Sequence, residues 1–314
     1  MGPLQIILII IGAALLLFVL PVLAMSFALY AVLLLRTSKN KWGHTCSFPD
    51  DPEYVRMYNA GLEWEKTVTD KKRPVQVKSG RYRLVGEYFD FGAKRAVIII
   101  AGRTESYQYS YYFASAYERD GYNVLVIDNR AHGYSDGHIN RLGYGEYKDI
   151  IKWSGLLVSL GNSSVVLHGI CIGASTALFA AASKKCPGYI RAVVTEGMYV
   201  NFYESLKNHF KEKNKPLFPM IQGVVTHLFF ISRANVVTDG PIRRIKKMYR
   251  PILMLQSRQD TYSVPEFAQA LYDRCPSETK KLVYFPVGAH SRIRINDEQG
   301  YDRTVSEFLS SLDL

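Results

Sequence analysis

The sequence predicts an α/β fold in which an eight-stranded, mostly parallel sheet carries helices on both faces. The chain has 314 residues, of which 48% are hydrophobic, enough to bury a sizeable core. Beyond residue 73, apolar runs of strand length alternate with longer helical patterns, which is typical of this fold class. The β-branched runs at 97–100 and 124–127 have the continuous apolar character of strands buried on both faces.

Eight strands follow from these apolar runs, and the first two, joined near Gly80, are expected to form an antiparallel hairpin. The strands are predicted at 75–79, 82–89, 96–101, 123–127, 164–168, 192–195, 252–256 and 282–285. Helices between and after them are predicted near 109–119, 144–160, 174–184, 265–273 and 299–312.

The N-terminal segment, residues 4–35, contains no charged residue. About 20 apolar residues suffice for a helix to cross a bilayer, so this segment is predicted to be a transmembrane helix with the lipid bilayer as its partner. A secretory signal peptide would have a basic start and a shorter apolar stretch, and neither feature is present. The alternative is a pair of short membrane segments that meet at Pro21.

Cations directly after this segment set its expected orientation. Arg36, Lys39 and Lys41 follow the apolar run, whereas no charged side chain precedes it. The positive-inside rule therefore predicts a single-pass protein with its globular domain in the cytoplasm. The net charge of +11 favours anionic neighbours such as lipid headgroups. The basic residues are scattered and form no recognised nucleic-acid motif, so no nucleic-acid partner is expected.

The chain thus divides into a transmembrane helix at 4–35, a polar and aromatic connector at 36–73, and one α/β domain at 74–314. Within that domain, residues 199–250 separate two predicted strands and are rich in aromatic, lysine and arginine residues. An insertion of about fifty residues usually forms a lid or cap over a site. A packed cap with one solvated face is the alternative for this segment.

The cysteines are four and lie far apart, which fits neither a zinc site nor a disulfide framework. They are expected to be free thiols in a reducing compartment, and no metal or organic cofactor is implied. Cys46, Cys186 and Cys275 have no neighbours that suggest chemistry.

Cys171 has a distinctive setting, because the predicted strand at 164–168 runs into Gly169-Ile170-Cys171-Ile172-Gly173 and then into an alanine-rich helical pattern. A sharp turn from strand to helix needs small residues two positions either side of the turning residue. Gly169 and Gly173 meet that need. The turn would present Cys171 at a helix N-terminus, where the helix dipole stabilises a thiolate.

This pattern resembles the nucleophile elbow of α/β hydrolases, Gly-x-Ser-x-Gly, with cysteine in place of serine. The resemblance covers residues 75–312 and includes the loop at 128–135 and the Gly-Arg-Thr-Glu-Ser stretch at 102–106. The chain is most similar to membrane-anchored bacterial hydrolases of the serine-aminopeptidase, monoacylglycerol-lipase and lysophospholipase-like group. The resemblance implies the α/β-hydrolase fold with a helical cap.

The resemblance also implies a catalytic triad, with the acid after the strand that follows the cap and the histidine after the last strand. Asp260 and His290 occupy those places, giving the order Cys171, Asp260, His290. Two other carboxylates follow strands and are weaker alternatives for the acid: Asp128 and Glu196.

Backbone N–H groups would bind the oxyanion of the tetrahedral intermediate in such a site. The resemblance places one at Ile172 and the other in the loop at Arg103. The predicted activity is hydrolysis of an acyl ester, thioester or amide through a Cys171 acyl-enzyme, on a small acyl or peptide-like substrate near the membrane. Two alternatives stay open: an acyltransferase that uses the same thioester, and an inactive membrane-tethered binding protein.

Overall fold

The computed structural model describes residues 2–314 and contains one eight-stranded sheet, as predicted. Its strand order is β1-β2-β4-β3-β5-β6-β7-β8. β2 pairs antiparallel with both β1 and β4, and the other neighbours are parallel, which confirms the hairpin and the mostly parallel sheet. The strands are β1 (Lys72–Ser79), β2 (Tyr82–Phe89), β3 (Arg95–Ile100), β4 (Asn123–Ile127), β5 (Ser164–Ile170), β6 (Ile190–Glu196), β7 (Ile252–Ser257) and β8 (Lys280–Phe285).

Helices cover both faces of this sheet. Side chains of β3 alternate between two hydrophobic clusters, with Val97 and Ile99 in one and Ala96, Ile98 and Ile100 in the other. The first cluster includes α2, α3 and α11, and the second includes α4, α5 and α9. The helices are α1 (Pro3–Leu34), α2 (Pro52–Thr67), α3 (Tyr107–Arg119), α4 (Tyr147–Ser159), α5 (Ile172–Ala181), α6 (Phe202–Glu212), α7 (Met220–Phe230), α8 (Pro241–Arg244), α9 (Pro265–Arg274), α10 (Ile293–Asn296) and α11 (Glu298–Ser310).

Helix α2 lies in the segment described above only as a connector, and it was not predicted. Asp51 caps it by accepting a hydrogen bond from the Tyr54 N–H at 3.0 Å, and Pro52 occupies the first turn. Gly61 allows α2 to approach α3, because a Cβ at Gly61 would lie 2.8 Å from the backbone nitrogen of Tyr112. The Asp-Pro pair was the available signal for this helix.

Helix α4 begins at Tyr147, three residues later than predicted. The carboxylate of Glu146 accepts hydrogen bonds from the backbone N–H groups of Arg141, Gly143 and Gly145. These bonds hold residues 141–145 in a loop. A side chain that binds backbone N–H groups in this way competes with helix formation.

Helix α1 is long and apolar enough to cross a membrane. It runs through Pro21 without a break, so two separate segments meeting at that residue are not formed. Its first buried side chain is Ser26, and Tyr30 and Leu34 are buried in the turns that follow. The last turns of α1 therefore pack against the rest of the protein.

The segment between β6 and β7 contains α6, α7 and α8. Together with the end of α1, these elements form a third hydrophobic cluster next to the start of α5. Its members include Tyr30, Leu34, Ile172, Phe202, Leu206, Ile221, Val224 and Leu228.

Candidate active site

Cys171 is the single residue between the end of β5 and the start of α5. Its backbone has φ 55° and ψ −115°, in the left-handed half of conformational space that non-glycine residues rarely adopt. The Cys171 N–H donates to the Glu196 carbonyl at 2.9 Å, which holds the turn against β6. The strained turn presents the cysteine side chain at the N-terminus of α5.

Close backbone approach explains the two flanking glycines. A Cβ at Gly169 would lie 2.3 Å from the Gly173 carbonyl oxygen, and a Cβ at Gly173 would lie 1.9 Å from the Ile100 carbonyl oxygen. Any side chain at either position would therefore force α5 away from the strands. Both glycines have the spatial role that the sequence predicted for them.

Asp260 and His290 meet directly, although thirty positions separate them in sequence. The distance from His290 Nδ1 to Asp260 Oδ2 is 2.7 Å. The other carboxylate oxygen, Oδ1, accepts the backbone N–H groups of Tyr262 at 2.9 Å and Ser263 at 2.8 Å. The Asp260 side chain is buried, and an ionised carboxylate only accepts, so His290 Nδ1–H donates this hydrogen bond.

The His290 side chain also lies in the same cavity as that of Cys171. Burial alone would lower the pKa of His290. The negative charges of Asp260 and of the Cys171 sulfur outweigh burial and raise this pKa well above its usual range. The structure therefore brings the three predicted residues together, with His290 bound to Asp260 and facing the same cavity as Cys171.

The loop at 101–104 lies against the turn at Cys171. A Cβ at Gly102 would lie 3.6 Å from the Cys171 Cβ, and His132 Nε2 contacts the Arg103 carbonyl at 2.6 Å and so braces this loop. Within residues 2–314, no hydrogen-bond acceptor meets the backbone N–H of Ile172 or Arg103. Both N–H groups named from sequence are available as donors.

A cavity of about 530 Å³ contains the Cys171 and His290 side chains. Its walls come from segments that are distant in sequence and are more apolar than polar. They include Leu33 of α1, Tyr54 of α2, Phe202 and Leu206 of α6, and Tyr262 after β7. Such a lining suits an acyl chain or another largely apolar group.

Asp128 lies in a different environment from the triad. It is fully buried and accepts hydrogen bonds from the Tyr134 N–H at 2.7 Å and the Tyr107 N–H at 3.0 Å, with His44 Nε2 at 2.8 Å. These contacts tie the loop after β4 to α3 and to the segment after α1. Asp128 therefore has a structural role and does not contact His290.

Glu196 lies beneath the site. Burial raises its pKa, and its carboxylate accepts the Tyr301 hydroxyl at 2.9 Å and the Ile293 N–H at 3.3 Å. The same Tyr301 hydroxyl lies 3.0 Å from His168 Nε2, and burial lowers the pKa of His168 to about 3, so His168 is neutral. Of the three carboxylates considered, Asp260 is the one that contacts His290.

Sequence reasoning missed the contribution of the segment before β1. Tyr54 of α2 and Phe48 line the cavity, and an ion pair of 2.8 Å joins Asp51 to Arg292, two residues after His290. This contact fastens the start of α2 to the histidine-bearing loop. The signal that could have indicated the helix is the Asp-Pro cap described above.

The remaining cysteines do not line this cavity. Cys46, Cys186 and Cys275 are free thiols, and burial raises the pKa of Cys186 and Cys275. Across residues 2–314, no group of three or more histidine, cysteine, aspartate or glutamate side chains could hold a metal ion.

An eight-stranded sheet of this order, with a sharp strand-to-helix turn after β5, is the α/β-hydrolase fold. The family model described as "alpha/beta hydrolase fold" matches residues 95–213 of this chain. The sheet and this match agree with the fold class predicted from sequence.

Curated relatives are similar over part of their length. "Uncharacterized protein YqkD" of Bacillus subtilis is 27% identical over 195 residues, which cover 61% of this chain and 63% of that protein. "Uncharacterized membrane protein YNL320W" of Saccharomyces cerevisiae is 26% identical over 197 residues, 62% of each. The chain thus spans a little under two thirds of these two relatives.

Solved structures share the fold over more of their length. An esterase from Pyrococcus furiosus, Pf2001, superimposes with a TM-score of 0.66 and 21% identity, covering 79% of this chain and 93% of the esterase. DcsB, solved in complex with its substrate analogue, gives a TM-score of 0.62 with 18% identity and coverage of 76% and 98%. At these identities the likeness shows the fold alone.

Proposed function

We propose that this chain is a membrane-anchored hydrolase that cleaves an acyl ester, thioester or amide through an acyl-enzyme on Cys171. The observation that carries the proposal is the hydrogen bond between His290 and Asp260 beside the turn at Cys171, with Cys171 and His290 lining one largely apolar cavity. The α/β-hydrolase fold and the esterase among its structural neighbours support a hydrolytic function.

The chemistry begins with transfer of the Cys171 thiol proton to His290 Nε2, which gives a thiolate–imidazolium pair. The thiolate attacks the substrate carbonyl carbon, and the resulting oxyanion accepts hydrogen bonds from the N–H groups of Ile172 and Arg103. When the intermediate collapses, His290 returns its proton to the departing alcohol, thiol or amine. Cys171 then carries the acyl group as a thioester.

Deacylation reverses the roles of the same groups. His290 takes a proton from water, the hydroxide attacks the thioester carbonyl, and the Cys171 sulfur leaves and is reprotonated by His290. The products are a free carboxylic acid and the starting enzyme. Asp260 keeps the imidazole oriented throughout and stabilises its charge in each half-reaction.

Membrane anchoring through α1 belongs to the same proposal. The helix has the length and composition of a span, and the yeast relative is named a membrane protein. Arg36, Lys39 and Lys41 follow it, and by the positive-inside rule these cations support a cytoplasmic domain. Lys41 Nζ also binds the carbonyls of Ala31 and Val32 at 2.9 and 2.8 Å, so this cation additionally caps the end of α1.

A panel of p-nitrophenyl esters of increasing chain length, assayed with the full chain in detergent micelles, tests this function. We expect release of free acid by the wild-type protein and loss of at least about 10³-fold in rate for Cys171→Ala, since the nucleophile is removed. Cys186→Ala is the matched control, because Cys186 lies outside the cavity, and it should keep wild-type activity.

The same assay separates hydrolysis from acyl transfer when amine and alcohol acceptors are added. The proposal predicts that free acid stays the main product. If the acyl group were transferred to an added acceptor in preference to water, the protein would be an acyltransferase and the hydrolase assignment would be wrong. Undiminished turnover by Cys171→Ala would show that Cys171 is not the nucleophile.

A further inference from the structure

Large apolar side chains are exposed around helix α7. The exposed fractions are 69% for Phe218, 51% for Phe229, 66% for Phe230 and 39% for Ile231. We call these four residues, three phenylalanines and one isoleucine, the cap aromatic face. The surface of a soluble protein rarely exposes several large apolar side chains within so short a segment, and such patches mark membrane or protein contacts.

Helix α1 fixes the position of α7. Gly223 packs directly on Ser26, since a Cβ at Gly223 would lie 2.2 Å from the Ser26 Oγ. Ser26 Oγ lies 3.1 Å from His227 Nε2, and the Tyr30 hydroxyl lies 2.9 Å from Ser232 Oγ. These contacts make α7 and the second half of α1 one packed unit, so the orientation of α1 determines that of the cap.

The length of α1 indicates where a bilayer would end. Its 32 residues span about 48 Å, whereas about 20 residues cross the hydrocarbon core. From residue 3 to Met25 the side chains are exposed, apart from the half-buried Gly12 and Val22, and burial begins at Ser26. The hydrocarbon edge therefore falls near Ser26, which is the level at which α7 contacts α1.

Charge around the cap aromatic face suits an anionic lipid surface. Lys211, Lys213 and Lys215 precede Phe218, and Arg233 follows Ile231, all four with exposed side chains. Glu212 is the one acid within this group. Cations beside exposed aromatic residues are typical of segments that lie in a membrane interface, where each cation gains from anionic headgroups.

We propose that the cap aromatic face inserts into the surface of the bilayer that α1 crosses, so that the active-site cavity opens beside the lipid headgroups. This inference rests on the proposed membrane anchoring. Leu33 lines the cavity and lies about 10 Å along α1 from Ser26. A membrane amphiphile can then reach Cys171 by a short movement out of the lipid, without passing through water as a monomer.

Tryptophan scanning of the full chain tests this docking. Phe230→Trp, Leu17→Trp and Tyr249→Trp are reconstituted into phosphatidylcholine–phosphatidylserine vesicles that contain lipids brominated at shallow or deep acyl positions. Leu17 is 78% exposed in the proposed span. Tyr249 is 72% exposed just before β7, at the amino edge of the parallel strands and opposite the cavity. The native Trp42, Trp64 and Trp153 provide the background that is subtracted.

Deep bromines should quench Leu17→Trp, shallow bromines should quench Phe230→Trp by at least about twofold, and neither should quench Tyr249→Trp. Quenching of Leu17→Trp while Phe230→Trp behaves like Tyr249→Trp would overturn the docking and leave the anchor standing. If a second copy of the chain covered the cap aromatic face, Phe230→Trp would likewise be unquenched, and the docking would be overturned in the same way. Absence of quenching at Leu17→Trp would overturn the anchoring and the docking together.

Discussion

Replacing Asp260 by asparagine is expected to lower kcat for ester hydrolysis on the order of 10⁴-fold. Asp260 accepts the Nδ1–H of His290 at 2.7 Å, and asparagine would present an uncharged group that no longer fixes the tautomer. Loss of the carboxylate charge also lowers the pKa of His290. The alkaline limb of the pH–rate profile should therefore move to lower pH in Asp260→Asn, as measured with one ester across the pH range.

Glu196→Gln is the matched control, because it replaces another buried carboxylate near the same histidine. The glutamine oxygen can still accept the Ile293 N–H, and the activity should stay within about tenfold of wild type. If Glu196→Gln lost as much activity as Asp260→Asn, or if Asp260→Asn stayed fully active, the assignment of the acid would be wrong.

The pH dependence of the free energy of unfolding gives an independent measure of the contact between His290 and Asp260. Because the pKa of His290 is raised on folding, its interaction with Asp260 contributes stability that is fully present below about pH 6.5. That contribution is lost as the pH rises through the raised value. The difference in unfolding free energy between wild type and Asp260→Asn should accordingly shrink in alkaline solution.

Gly173→Ala is expected to lower both stability and activity. The added Cβ would lie 1.9 Å from the Ile100 carbonyl oxygen, a backbone atom of a central strand, so α5 or β3 must shift. Overpacking of this kind costs about 1–3 kcal/mol. A displacement of about 1 Å at the elbow should reduce kcat/KM on the order of 10²-fold. Thermal unfolding and ester kinetics measure the two effects.

Gly188→Ala provides the comparison for that substitution. A Cβ at Gly188 meets no atom within 4 Å, so its effect should stay within about 0.5 kcal/mol with unchanged activity. If Gly173→Ala and Gly188→Ala had equal stability and equal activity, the close approach of Gly173 to β3 would not be required for the turn at Cys171.

Local patterns predicted most of the fold and the chain positions of the candidate site. Continuous apolar runs, as at 97–100, predict parallel strands buried on both faces. The sharp turn at Cys171 is predicted by two glycines at fixed spacing on either side of it. The strand pattern and the glycine spacing are local, so a single sequence is sufficient to read them. Asp260 and His290 were indicated by the chain order that the resemblance to α/β hydrolases implies, and the structure brings them into contact.

The walls of the cavity could not be predicted in the same way, because they depend on packing between distant segments. Tyr54 reaches the cavity through the unpredicted helix α2, which packs against α3. Leu33 belongs to a helix whose composition indicates only a membrane span. Its place in the cavity depends on how α1 packs against the cap.

The acyl-enzyme itself offers the most direct test of the central claim that Cys171 is the nucleophile. Wild-type protein is mixed with a medium-chain ester, quenched in acid within milliseconds, digested and analysed by mass spectrometry. We predict an acyl adduct on the peptide that carries Cys171, labile to neutral hydroxylamine as a thioester is, and absent from Cys171→Ala. An acyl group found on another residue, or turnover by wild type with Cys171 unmodified at every quench time, would contradict the account.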